Sequence, residues 1–420
     1  MKTTNKCLVL IISVFSFSDG GGAWIYENGT TQTGTASAGY VTGSGNDASC
    51  TFGNPAAMSL INNTQLLVGA LVSFLETEFS LDTSTFTGGD GGDAGTVLPS
   101  GGVYYVHNLP IPLKLGFALN SYVTGAVDYN DSWSGRYYTQ KSVLISLNAN
   151  PVASYRVLPW LSIGAGISLG FARIDQQTAI NNSLDLASDG TIKASGNQVA
   201  LGGNGGILFE PWEKIRVGVT YRSPQTFTFS NIITITDLGP TLSALVNVAG
   251  LSRDNSKIKV TLPMEAAVGV FVPIVKNIAI MVDANWQDWS SFGRLDLQIP
   301  STPVSSLTVK QNLNDTWHIA TGAHYQFNNL LLLTAGFAYD SSPSKTNSRT
   351  PTLPIDRQLR YAGGVQYNLK NKLTIGGAYE FIDLGTSPVN LSRGPLAGVL
   401  QGKYDTNSAH VVSLTLEWRY

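Results

Sequence analysis

The carboxy-terminal stretch His410-Val-Val-Ser-Leu-Thr-Leu-Glu-Trp-Arg-Tyr420 places Val412, Leu414, Leu416, Trp418 and Tyr420 at every second position, with Thr415, Glu417 and Arg419 between them. Side chains of a β-strand point alternately to its two faces, so this stretch has one apolar and one polar face. A strand at the edge of a soluble sheet can do that. A strand in the wall of a transmembrane barrel must, because lipid lies on one side and water on the other.

The same period returns along the chain. Ile215, Val217, Val219 and Tyr221 alternate with Arg216, Gly218, Thr220 and Arg222, and Ile278, Ile280, Val282, Ala284 and Trp286 stand against Asn277, Asp283 and Asn285. Trp317, Ile319, Thr321, Ala323, Tyr325 and Phe327 face away from His318, Gly322, His324 and Gln326. Marking strands in this way gives fourteen, over approximate spans 64–79, 101–108, 113–124, 141–155, 160–174, 196–209, 214–229, 257–272, 277–299, 309–327, 330–340, 357–368, 372–383 and 408–420. Short connections such as 109–112, 156–159 and Asn328-Asn329 alternate with long ones such as 80–100, 125–140 and 230–256. Short turns on one side and long loops on the other are the rhythm of an outer-membrane barrel, whereas the loops of a β-sandwich or propeller need not alternate in length.

Composition agrees. Only 13% of the 420 residues are charged, against about 25% in ordinary soluble domains. A net charge of −2 excludes general electrostatic binding of nucleic acid. After the amino terminus no uncharged apolar run is long enough for a membrane-crossing helix. Residues Met1 to Gly22 read as a secretory signal peptide: Lys2 and Lys6, then an apolar run from Cys7 to Phe15, then small residues. Cleavage after Ser18, Gly22 or Ala23 would each be acceptable. Cys50 would then be alone, without an intramolecular disulfide. No cofactor or metal is expected.

Between the signal and the first strand, residues 23–63 are rich in small residues and nearly uncharged, and could dangle from the barrel or fill it. The spacing Gly34, Gly39, Asn46-Asp-Ala48, Asn54-Pro-Ala56 resembles the amino-terminal hatch of the FadL family, outer-membrane transporters of long-chain fatty acids and other hydrophobic compounds. In order along the chain, Tyr221-Arg-Ser-Pro224, Asp283-Ala-Asn-Trp286 with Trp289-Ser-Ser-Phe292, Asp340-Ser-Ser-Pro343, Pro354-Ile-Asp-Arg357 and Gly363-Gly-Val-Gln-Tyr367 are similar to further family motifs. The resemblance implies an all-β fold: a fourteen-stranded antiparallel barrel over 64–420, plugged by a hatch over 23–63. It also implies a monomer in the Gram-negative outer membrane, surrounded by its lipids. A final aromatic residue such as Tyr420 is what bacterial barrels commonly present to their assembly machinery.

The function implied is uptake of hydrophobic small molecules, most readily long-chain fatty acids, by capture at outer loops, transfer to an interior pocket and exit through the wall beside a kinked third strand. Aromatic or other uncharged hydrocarbons are the alternative, favoured by Arg294 and Asp296 standing where fatty-acid members can place a lysine. A surface adhesin or receptor, or a barrel hydrolase, are readings from other classes. The apolar stripe with Leu242 and Leu245 in loop 230–256 is a candidate capture groove or a packing face. The resemblance assigns Trp24 or Ile25 to closure over the bound chain and Arg173, expected to point inward, to a substrate carboxylate. It assigns Asn54, Pro55 and Ala56 to an inner gate, with the exit around Gly116 and Phe117. His318 and His324 share the inward face, and lumen polarity is reason enough for both.

Overall fold

The computed structural model describes residues 25–27, 29–212, 214–248, 257–292, 294–298, 306–310, 312–369 and 372–420. The signal segment, Trp24, Leu251 and the side chains of Arg294 and Asp296 lie outside the described set. In chain order the strands are β1 Gln65–Ser84, β2 Val97–Asn108, β3 Leu113–Asp128, β4 Lys141–Leu158, β5 Leu161–Ile180, β6 Gly190–Trp212, β7 Ile215–Arg222, β8 Gln225–Ser230, β9 Ile233–Thr236 and β10 Lys257–Leu262. They continue with β11 Glu265–Val275, β12 Ile278–Gln287, β13 Arg294–Gln298, β14 Ser306–Lys310, β15 Thr316–Gln326, β16 Leu331–Asp340, β17 Gln358–Leu369, β18 Leu373–Asp383, β19 Val389–Ser392 and β20 Val399–Arg419.

Fourteen of these, β1 to β7, β11, β12, β15 to β18 and β20, pair with their neighbours in an antiparallel ring. The ring closes where β20 pairs with β1, from Gln65 opposite Arg419 to Ser84 opposite Leu400. Closure joins the first wall strand to the last, so the barrel can satisfy its backbone inside a bilayer everywhere except where neighbouring strands part. The alternation read from the carboxy terminus holds: Leu414 is 61% exposed on the outside, while Ser413, Thr415 and Glu417 are buried within. Trp160, Trp212, Phe327, Trp418 and Tyr420 are exposed near the short-turn end, and Tyr221, Trp317, Tyr339, Tyr361 and Tyr379 nearer the long loops. These are the two aromatic girdles of a membrane barrel.

Four expected strands are broken. The spans 214–229 and 257–272 divide at Ser223-Pro224 and Pro263-Met264, and 277–299 and 309–327 are interrupted at 288–292 and 312–315. Proline has no N–H to give to a ladder. At Asp288 the carboxylate accepts the hydroxyls of Ser290 at 2.8 Å and Ser291 at 2.5 Å, holding the helical turn Trp289–Phe292. Above the break, β8, β10, β13 and β14 form a separate four-stranded sheet. Phe227, Phe229 and Ile258 of that sheet are buried in one apolar cluster with Ala194 and Ala200 of β6.

The segment preceding β1 is folded inside the barrel, with helical turns at Thr30–Gly34, Cys50–Gly53 and Pro55–Leu60. Inward side chains of the wall hold it. Thr30 and Thr415 hydroxyls meet at 2.8 Å, Val41 N–H donates to Asp283 at 3.0 Å, and Arg222 donates to the Phe52 carbonyl at 2.6 Å. Cys50 is a free, buried thiol.

Candidate functional site: a split wall and the pocket behind it

The wall divides between β2 and β3. Their ladder runs from Asn108 opposite Lys114 to Gly102 opposite Asn120 and stops there. Beyond it, β2 continues beside β1 as far as Val97 opposite Phe74, and β3 continues beside β4 as far as Asp128 opposite Lys141. The two edges are bridged at the bottom by Gly101 N–H to the Ser121 hydroxyl at 3.3 Å, and at the top by Asp128 N–H to the Ala94 carbonyl at 3.0 Å.

Local sequence explains why this split is tolerated. Gly101 has φ of +149°, a conformation that lets β2 turn away and that a side chain would resist. Pro99 shares the parity of Gly101, so the N–H it lacks is one that would have faced the gap. On the other side, β3 carries an extra residue between Ser121 and Thr124 in its register with β4, a β-bulge. Four consecutive residues, Asn120 to Val123, are buried there instead of alternating. Their backbone groups have partners: Val123 with the Ser146 hydroxyl at 2.8 and 3.1 Å, Ser121 carbonyl with the Asn120 amide at 2.8 Å, and Tyr122 carbonyl with Ile25 N–H at 3.1 Å.

Behind the split lies a cavity whose empty space, open mouth included, is about 850 Å³. Leu98 and Ser100 of β2 and Thr124 to Val127 of β3 line it, so both free edges open onto it. Leu71 and Leu75 of β1, Leu353 and Ile355 of the loop before β17, Ile382 and Leu384, and Val411 of β20 complete an apolar wall. From the amino-terminal segment, Ile25 and Glu27 enter it.

One end is charged. Arg360 of β17, 1% exposed, donates from Nε to Asp340 at 2.8 Å, from Nη1 to Glu27 at 2.5 Å and from Nη2 to Gln358 at 3.2 Å. Glu380 of β18 lies 3.6 Å from Nη1. His318 Nδ1 bonds the other Asp340 oxygen at 2.8 Å, and Tyr26 stacks on its ring at a centroid separation of 4.3 Å. Burial, with the nearby carboxylates of Glu265 and Asp340, pushes the Tyr26 phenol well above its usual range, so it stays neutral. His324 is buried on the same inward face but away from this cluster, beside the vestibule at the short-turn end.

The structure brings Ile25 into the pocket and displaces most other expected site residues. Arg173 is exposed on the parity of Leu169 and Phe171, both 37% exposed or more; it faces outward, with Ala172 and Ile174 inward. Gly116 and Phe117 lie in unbroken ladders, opposite Val106 and Tyr105 on one side and Val152 and Pro151 on the other. The interruption is at Ser121–Thr124. Gly116 instead marks a close approach, since a Cβ there would come within 2.5 Å of Met58 and 2.7 Å of Thr51 in the hatch segment.

Asn54, Pro55 and Ala56 do not line the pocket. Asn54 donates to the Val41 carbonyl at 2.8 Å and to Ile207 of β6 at 3.2 Å, and the Ala56 carbonyl accepts from Ser154 of β4 at 3.2 Å. This is a fastening to the wall. Leu242, on the helix Pro240–Val248, is 2% exposed within the cluster of Phe227 and Phe229, and Leu245 packs against that cluster. Exposed apolar groups stand next to this helix: Leu184 is 62% and Leu186 96% exposed, on a loop tied to Thr241 through Asp185 at 2.5 and 3.0 Å.

Arg360 and Glu380 escape a motif reading, and Asp340 enters one only as the first residue of Asp340-Ser-Ser-Pro343, because the members of the cluster sit on three strands. Their signal is charge at inward parity, where a lumen requires only polarity. The bulge left a trace of its own: Ser121 falls where Phe117 and Leu119 would place the next lipid-facing residue.

Comparison with known proteins agrees with this architecture. The family described as outer membrane protein transport protein (OMPP1/FadL/TodX) matches residues 11–420. A long-chain fatty acid transport protein of Escherichia coli O6:H1 is 22% identical over 78% of this chain and 79% of its own length. Outer membrane protein P1 of Haemophilus influenzae is 23% identical over 91% and 90%. Among solved structures, a Pseudomonas aeruginosa FadL homologue superposes with a TM-score of 0.86 at 19% identity, covering 95% of this chain and 100% of that one. The P. putida toluene transporter TodX gives 0.66 at 15% identity, over 93% and 98%.

Proposed function

This chain belongs to the OMPP1/FadL/TodX family of outer-membrane transport proteins, and on that premise we propose that it admits hydrophobic small molecules to the pocket behind β2 and β3 and releases them sideways into the bilayer. The observation that carries this reading is that both free edges of the split line the pocket. A ligand there has apolar side chains around it and no wall strand between it and the lipid in that direction. Transfer from pocket to membrane then exchanges one apolar environment for another and needs no passage through water.

Capture from outside falls to exposed apolar groups on the outer loops, of which Leu184 and Leu186 are the most prominent beside the helix Pro240–Val248. Ile25, hydrogen-bonded to the β3 bulge and lining the pocket, links the segment inside the barrel to the exit.

The test is obstruction of the split. Thr124→Trp or Ala126→Trp, each placing an indole in the cavity lining beside the split, should stop delivery of a fluorescent hydrophobic probe into the surrounding bilayer of proteoliposomes while association of the probe with the outer loops persists. Undiminished delivery by both variants, folded as heat-modifiable barrels, would show that the exit lies elsewhere.

A further inference from the structure

The charge around the pocket deepens this reading. We infer that the ligand is uncharged, a hydrophobic molecule without a carboxylate, because the pocket's single cation is already committed to the protein's own acidic groups. The inference rests on the transport reading for its site and differs from it in what the site selects.

Among the described residues lining the cavity, Arg360 is the sole Lys or Arg. Capture of a carboxylate by arginine uses two adjacent N–H groups of the guanidinium fork. Here three of the five N–H groups, one on each nitrogen, already donate to protein acceptors, Nε to Asp340, Nη1 to Glu27 and Nη2 to Gln358, and the Glu380 carboxyl lies 3.6 Å from Nη1. Glu27 belongs to the same segment as Ile25, lines the cavity together with Arg360, and is paired with its Nη1.

Charge opposes substitution as well. Asp340, Glu27 and Glu380 surround one guanidinium, and the only imidazole beside them, that of His318, is engaged with Asp340. All five side chains are at least nine-tenths buried. A further carboxylate would enter a buried site where Asp340 and Glu27 already pair with the one arginine, and burial of an unpaired charge is far more costly than burial of a neutral group of the same size. A neutral polar group, such as a hydroxyl or ester carbonyl, does not meet that penalty. The outward position of Arg173 removes the other basic residue expected to serve a carboxylate.

The experiment compares three probes of equal chain length on the purified full-length barrel: hexadecanoic acid, 1-hexadecanol and methyl hexadecanoate. At neutral to mildly alkaline pH the alcohol and the ester should bind at least about tenfold more tightly than the acid, a difference of about 1.4 kcal/mol. The gap should narrow as pH falls and the acid becomes neutral. Glu27→Gln, which removes the carboxylate paired with Arg360 at the cavity lining, should also narrow it. Acid binding equal to or tighter than alcohol binding by the unmodified protein would overturn the inference while leaving transport standing. Failure of all three probes to bind would remove the transport reading and this one together.

Discussion

The hydroxyl of Ser146 on β4 serves both backbone groups of Val123 on β3, accepting its N–H at 2.8 Å and donating to its carbonyl at 3.1 Å. Val123 is a fully buried residue of the bulge, at the point where β3 has left β2. One side-chain oxygen therefore stands in for a missing rung of the ladder.

Ser146→Ala should leave both groups without that partner, at a cost of about 1–3 kcal/mol for a buried unsatisfied group. Hydrogen exchange at the Val123 amide should accelerate while amides of the β1–β20 seam remain protected. Unaltered exchange at Val123 would show that the bulge is held by its neighbours without the hydroxyl.

Arg360→Met removes the one cation among Asp340, Glu27 and Glu380. Breaking a buried ion pair from one side costs about 3–5 kcal/mol. The stranded groups are acids, whose charge is relieved by protonation, so the loss should be largest at neutral pH and shrink as pH falls. Thermal unfolding followed by heat-modifiability at neutral and acid pH reads this directly. A deficit that grows on acidification would contradict it.

The two leucine positions of the outer surface should behave oppositely. Leu242 is buried beside Phe227 and Phe229, so Leu242→Ala should destabilise the outer sheet by about 2–5 kcal/mol. Leu186 is 96% exposed, so Leu186→Asp should leave stability unchanged and reduce uptake at limiting probe concentration. If Leu186→Asp takes up the probe normally, the loop has no part in capture.

Arg173→Ala should not alter the ratio of acid to ester binding, because the side chain faces outward from β5. A selective loss of acid binding would mean that a ligand carboxylate reaches it.

The ring of strands was legible because alternation is imposed on every wall residue by lipid and water, and the carboxy-terminal strand alone displays the rule. The breaks at Pro224 and Pro263 were equally present in the sequence, but runs of alternating residues continue on either side, so the strands read as continuous. The site was harder to read. Gly116 is a glycine in a strand for a reason unrelated to kinking, the nearness of Met58. Arg173 was placed inward by resemblance alone, whereas it shares the parity of Leu169 and Phe171, which face outward, and in a strand parity decides the face. Ile25 was found through family likeness. Arg360 required knowledge of which strands are neighbours, because its partners come from β16, β18 and the segment before β1.

The long β1–β20 pairing has a mechanical consequence. The split between β2 and β3 interrupts the hoop that keeps a barrel round, and a hoop cut on one side tends to unroll from the cut. Here β2 is backed by β1 along its upper half, and β1 is bound to β20 from Gln65 to Ser84, far past the height at which β2 and β3 part. Tension at the opening is carried around the other way, through a joint that overlaps it. The protein can thus keep a permanent slot in its side, much as a split ring holds its shape, with its rigidity supplied by the strands next to the slot.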